Sequence, residues 1–142
     1  MSDKQAPTSI NPRELAQPRG FSHGMLAATG GRMLAIAGQI GWDGDAVLVS
    51  SEFVQQFNRA LANVLAVLHE AGGVPTDLLL LRIYVTDKQQ YTGRTKEIGA
   101  IYRELMAGAN GDVHYPAMAL VQVADLLEPG ALVEIEGLAV IP

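Results

Sequence analysis

The runs LLLLRIYV (residues 78–85) and ALVEIEGLAVI (131–141) alternate in a way that leaves a sheet with one face to spare. Successive side chains on a strand point to opposite faces. Leu79, Leu81, Ile83 and Val85 therefore fall with Val133, Ile135 and Ala139 on a wholly apolar face suited to helices. The other parity is mixed: Leu78, Leu80, Arg82 and Tyr84, then Met118, Leu120 and Gln122 of AMALVQV, then Leu132, Glu134, Glu136, Leu138 and Val140. So much leucine and valine beside arginine and glutamate would form a large exposed apolar patch on a lone chain, and soluble monomers seldom carry one. The pattern predicts an oligomer whose subunits cover the mixed face, with any cleft there walled by two chains.

Two helices are available for the apolar face. SEFVQQFNRALANVLAVLHEAGG carries Phe53, Phe57, Leu61, Val64, Leu65, Leu68 and Ala71 at helical spacing. Ser50 or Ser51 can cap it, Gly72 ends it, and Gln55, Gln56, Asn58, Arg59 and Asn63 take the wet side. YTGRTKEIGAIYRELMAG predicts the second, with Ile98, Ile101, Tyr102 and Leu105 on one stripe. Its Gly93 and Gly99 weaken the early turns by about 1 kcal/mol each relative to alanine. FSHGMLAA and RMLAIAGQ flank a TGG turn whose Gly30 and Gly31 suit a tight hairpin, which predicts the first strand pair. The resulting order, β-β-α-β-α-β-β, describes an α+β fold with two helices on one face of a mixed sheet.

A chain of 142 residues, 49% of them hydrophobic, is one domain's length with enough apolar content for a core. The expected organisation is a flexible N-terminal arm, 1–19, and a single domain, 20–142. The apolar runs are strand-sized and the polar N-terminus has no signal-like h-region, so neither membrane insertion nor secretion is expected and the location reads as cytoplasmic. The absence of cysteine excludes disulfides, a thiolate nucleophile and cysteine-bound metals. A net charge of -5 without a basic run weighs against binding a phosphate backbone.

The sequence has no GxGxxG, P-loop, HExxH or GxSxG pattern and no paired histidines at ligand spacing, so no cofactor or metal is expected. His69 suits a helix C-terminus; His23 and His114 read as surface histidines that could face a cleft. Glu134 and Glu136 share one face of the last strand, where burial would raise a carboxylate pKa toward acid–base use. An ion pair with Arg82 or with a neighbouring subunit's cation is the competing reading.

Five segments in order, AIAGQIG, QFNRALANVLAVLHEAGG, IYVTD, YPAMALVQV and VEIEGLAV, give the chain from about residue 20 onward a strong resemblance to the Rid (YjgF/YER057c/UK114) family. The resemblance implies a chorismate-mutase-like fold, a homotrimer with ligand clefts between subunits, and, for the best-known subgroup, cofactor-independent hydrolysis of reactive enamines and imines to keto acids and ammonia. It implies cleft roles for Gly38 and Gln39, for Phe21 at the N-terminal rim, and for Glu134 in handling water.

The same comparison exposes a loss. Where the deaminases carry Pro-Ala-Arg, with the arginine clamping the substrate carboxylate, this chain has Pro116-Ala117-Met118. A thioether offers apolar volume and a weak acceptor in place of two charge-assisted hydrogen bonds. Losing such a pair from a desolvated cleft costs about 2–5 kcal/mol of binding. Ala37 replaces a small hydroxyl residue, Leu120 a cysteine, and Gly99 falls near a helix asparagine. Arg82, with Tyr84 on the same strand face, is the candidate substitute cation. The expectation is a small-molecule-binding trimer with a more apolar cleft and hydrolase-like chemistry at Glu134. A non-catalytic ligand-sensing or protein-binding trimer is the alternative, and an endoribonuclease or translation inhibitor is a third, weaker one.

Overall fold

The structure is a computed structural model that describes residues 6–142. Strands β1 (Thr8–Ile10), β2 (Gly24–Leu26) and β3 (Arg32–Gln39) precede helix α1 (Phe53–Glu70); β4 (Leu78–Val85), α2 (Lys88–Thr92), α3 (Thr95–Leu105), β5 (Ala117–Gln122) and β6 (Val133–Ile141) follow. The main sheet has the order β3-β6-β4-β5, antiparallel except for the parallel β4–β5 pair, and α1 and α3 pack on one face. This is the mixed α+β arrangement anticipated from the alternation, with differences that matter for the site.

The predicted hairpin between FSHGMLAA and RMLAIAGQ does not form. Gly30 and Gly31 do take positive φ, +81° and +91°. The strands they connect go elsewhere, however: β2 pairs with β1 in a separate two-stranded sheet, and β3 pairs with β6. Residues 8–10, inside the segment expected to be a loose arm, are thus hydrogen-bonded strand.

Helix α1 buries the expected stripe, Phe53, Phe57, Leu61, Val64, Leu65 and Leu68. Its N-cap is Glu52, without a side-chain cap, rather than either serine; Ser50 Oγ instead accepts the Glu52 N–H at 2.9 Å. Gln56, expected on the wet side, is fully buried. Its amide donates to the carbonyls of Ser50 (2.9 Å) and Gly130 (3.0 Å) and accepts from Leu132 N (2.8 Å). One side chain thereby ties the helix start to the turn before β6, supplying partners to backbone groups that a buried segment cannot leave unmade. The second helix is broken in two, because α2 stops at Gly93 and α3 begins past Arg94.

Two face assignments change. A register shift between Leu78 and Leu80 puts Leu78, instead of Leu79, in the core. On β5 the parity is reversed: Met118 and Leu120 lie in register with the buried Leu81 and Ile83 and pack against the core from the helix side. The small residues Ala117 and Ala119 align with Leu80 and Arg82 on the open face. Placing the larger side chains inward buries more apolar area, which is the physical reason for that choice.

Candidate functional site

The helix-side edge at β5 is where the concavity lies. Met118 opens onto a cleft of about 310 Å³ that also touches Phe21, Leu120 and Tyr91. A second cleft, of about 670 Å³, shares Met118 and Tyr91 with the first and runs along α3 past Gly99 and Tyr102 to Arg103. The wall is aromatic: Tyr91 lies 6.4 Å from Phe57, and Tyr102 stacks on Tyr115 at 5.3 Å. Burial raises the Tyr91 and Tyr102 hydroxyl pKa values, so both stay protonated near neutrality. Tyr102 donates to His114 O at 2.8 Å, which holds the stacked pair against the loop entering β5.

The N-terminal rim is pinned to that entry. Ser22, itself buried, donates its backbone N–H to Pro116 O (3.0 Å), and its hydroxyl donates to Tyr115 O (2.6 Å). His23 packs edge-on to Phe21 at 5.3 Å, and its Nε2 bonds Ala16 O at 2.7 Å. These contacts bring Phe21, Gly20 and Arg19 to the cleft mouth. His114 has a structural position too: Nε2 donates to Leu78 O at 2.8 Å, and burial lowers its pKa despite that bond and the nearby Asp77 carboxylate.

The acids are on the other side of the sheet. Glu136 accepts from Tyr84 Oη at 2.6 Å and pairs with Arg82 Nη1 at 3.4 Å. Tyr84, opposite Glu134 in register, has its pKa raised first by its hydrogen bond to Glu136. Glu134 has no ion-pair partner among the described residues. It lies against Gly38, where an added Cβ would sit 2.7 Å from the Glu134 carboxyl carbon.

One chain therefore divides the residues singled out from sequence. Phe21, Met118 and Leu120 meet in the helix-side cleft. Gly38, Arg82, Tyr84 and Glu134 belong to the open face, with Ala37 exposed in the irregular end of β3. Gln39 turns toward α1 beside Asn63 and Val67, at the opposite edge of the sheet from Met118. Arg82 does not share a face with Met118 and cannot stand in for an arginine there; its in-register neighbour on β5 is Ala119. Tyr91, Arg19, Lys88 and Arg103 line the clefts but were not singled out from sequence. Lys88 and Tyr91 lie on the five-residue α2 and Arg19 on the irregular rim, which carry no periodic signal, while Arg103 lies on α3 outside its apolar stripe.

Residues 13–141 match the family model described as endoribonuclease L-PSP. The chain belongs to this family, the Rid/YjgF group. A RutC family protein of Haemophilus influenzae is 28% identical over 110 residues, 78% of this chain and 80% of that protein. Among solved structures, the Rid-family protein YyfB of Yersinia pestis, a protein of unknown function, superposes with a TM-score of 0.79 at 31% identity, covering 96% of this chain and all of that one (100%). The YjgF gene product of E. coli aligns with a TM-score of 0.63 at 25% identity over 97% of this chain and 94% of its own. The Rid/YjgF fold thus extends over the cleft edge and the open face alike.

Proposed function

We propose that this Rid-family chain binds a small metabolite with an apolar body in a cleft completed by a second copy, as a homotrimer, and hydrolyses an enamine or imine there without a cofactor. The observation that carries the reading is the division of the site. The cleft with Met118, Phe21 and Tyr91 is on one side of the sheet, and Glu134, without an ion-pair partner among the described residues, is on the other. Only the open face of a neighbouring subunit can set a carboxylate opposite the cleft. Covering that face also buries its leucines and valines, which favours association.

In the proposed reaction an enamine first tautomerises to the imine. Glu134 accepts a proton from a water as the oxygen attacks the imine carbon, and the proton passes to nitrogen. The C–N bond of the resulting carbinolamine then breaks as its hydroxyl proton passes to the departing nitrogen, releasing ammonia and leaving the carbonyl compound. A positioned carboxylate of this kind contributes about 10²–10⁴-fold. Met118 provides apolar contact and no carboxylate clamp at its own position.

Ammonia release from 2-aminoacrylate and from longer-chain imines tests the activity. Acceleration by the native protein, lost in Glu134→Gln, supports it. No acceleration, and none gained by Met118→Arg, overturns it in favour of a non-catalytic binding trimer, a reading that the missing clamp favours. Sedimentation of a stable, active monomer at micromolar concentration would sink the shared cleft. The net charge of -5 argues against a ribonuclease.

A further inference from the structure

The cleft's own cations suggest where its ligand is charged. On α3, Thr95, Gly99 and Arg103 stand one turn apart along the cleft wall. Gly99 leaves room that any other residue would fill: a Cβ there would come within 3.0 Å of Arg103 Nη1. The Arg103 guanidinium therefore lies back over the glycine, toward the helix N-terminus, while the residue remains exposed at the cleft and open to a ligand. It makes no salt bridge among the described residues. Arg19 stands on the same cleft, and Lys88 on the adjoining one. Among the described residues no aspartate or glutamate lines either cleft, although acidic residues outnumber lysine and arginine by 15 to 10 in the chain. A cationic mouth on an acidic protein concentrates anions locally.

We infer that Arg103, laid across Gly99 and assisted by Arg19, is the anion anchor of this cleft, so that its ligand is a small carboxylate with an aromatic or apolar body. The body lies against Met118 and the tyrosine wall. The carboxylate lies at the α3 side, away from the strand position that Met118 holds. This rests on the reading of the cleft as the binding site. The pairing needs the planar fork of arginine, which grips a carboxylate with two parallel hydrogen bonds.

The test uses phenylacetate and its neutral analogue phenylacetamide, with the Met118 methyl observed by NMR in the full-length protein. Phenylacetate should bind more tightly than phenylacetamide, and the preference should shrink as salt is raised. Arg103→Met should weaken phenylacetate about tenfold or more and leave phenylacetamide unchanged. Gly99→Ala, which favours the helix, should keep the melting temperature and lose the same preference because its methyl displaces the guanidinium. If both probes move the Met118 methyl and neither variant alters the preference, the anchor is refuted while the cleft reading stands. If neither probe moves that methyl, cleft and anchor fall together.

Discussion

Tyr84 donates its phenolic hydrogen to Glu136 across 2.6 Å, and in doing so it separates the roles of two glutamates that sit two residues apart on one strand face. Glu136 is occupied by Tyr84 and Arg82, whereas Glu134 lies against Gly38 with no ion-pair partner among the described residues. The two should respond differently to the same substitution. Glu136→Gln should change stability in urea by no more than about 1 kcal/mol, because the pair is largely solvated. Glu134→Gln should leave stability alone and cut ammonia release by about 10²-fold or more. Equal effects of the two on turnover would contradict the assignment.

Gly38→Ala tests the same carboxylate without touching it. The new methyl would meet the end of the Glu134 side chain at 2.7 Å, and a flexible carboxylate can rotate away at small cost. Turnover should fall while the unfolding free energy from urea titration changes by less than about 1 kcal/mol. A crystal structure of the variant with Glu134 unmoved and turnover lost would point to another cause.

Gln56→Leu should be among the most damaging single changes in the protein. It removes the partner of two carbonyls and one N–H in a place closed to solvent. Each orphaned buried group costs about 1–3 kcal/mol, so a loss of about 3 kcal/mol or more is expected in equilibrium denaturation. A loss below about 1 kcal/mol would mean that water replaces the amide.

His114 should make stability pH-dependent. Its folded pKa is lowered by burial, so the unfolded chain binds the proton more readily. The contribution is fully present above the unfolded value of about 6.5 and is lost progressively as pH falls below it, through the lowered folded value. Denaturation midpoints measured from pH 8 down to pH 5 should decline, and His114→Gln should flatten that part of the curve. An unchanged slope in the variant would assign the pH dependence to other groups.

Much of the architecture was legible in the residues. The stripe on α1, the apolar parity of β6 and the excess open face follow from periods of 3.6 and 2, which depend on local chain geometry alone. The reading failed where a partner strand had to be known. Alternation groups Met118 with Arg82, but AMALVQ can be laid on the sheet in either parity, and only the in-register pairing with Leu81 decides between them. Helical spacing puts Gln56 on the wet side, and an isolated helix gives no sign that the turn before β6 will need its amide.

Composition and alternation by themselves determined that this chain would build an α+β layer with a mixed, leucine- and valine-rich face left over, that it had no thiol chemistry, and that position 118 could not clamp a carboxylate. The tertiary structure decided which side of the sheet each candidate occupies: Met118 toward the helices, Glu134 away from them, Arg103 folded over Gly99 at the cleft. The physical reason is that side-chain direction along a strand is local, whereas the choice of face depends on register with strands distant in sequence, and register is settled by how much apolar surface the assembled core can bury.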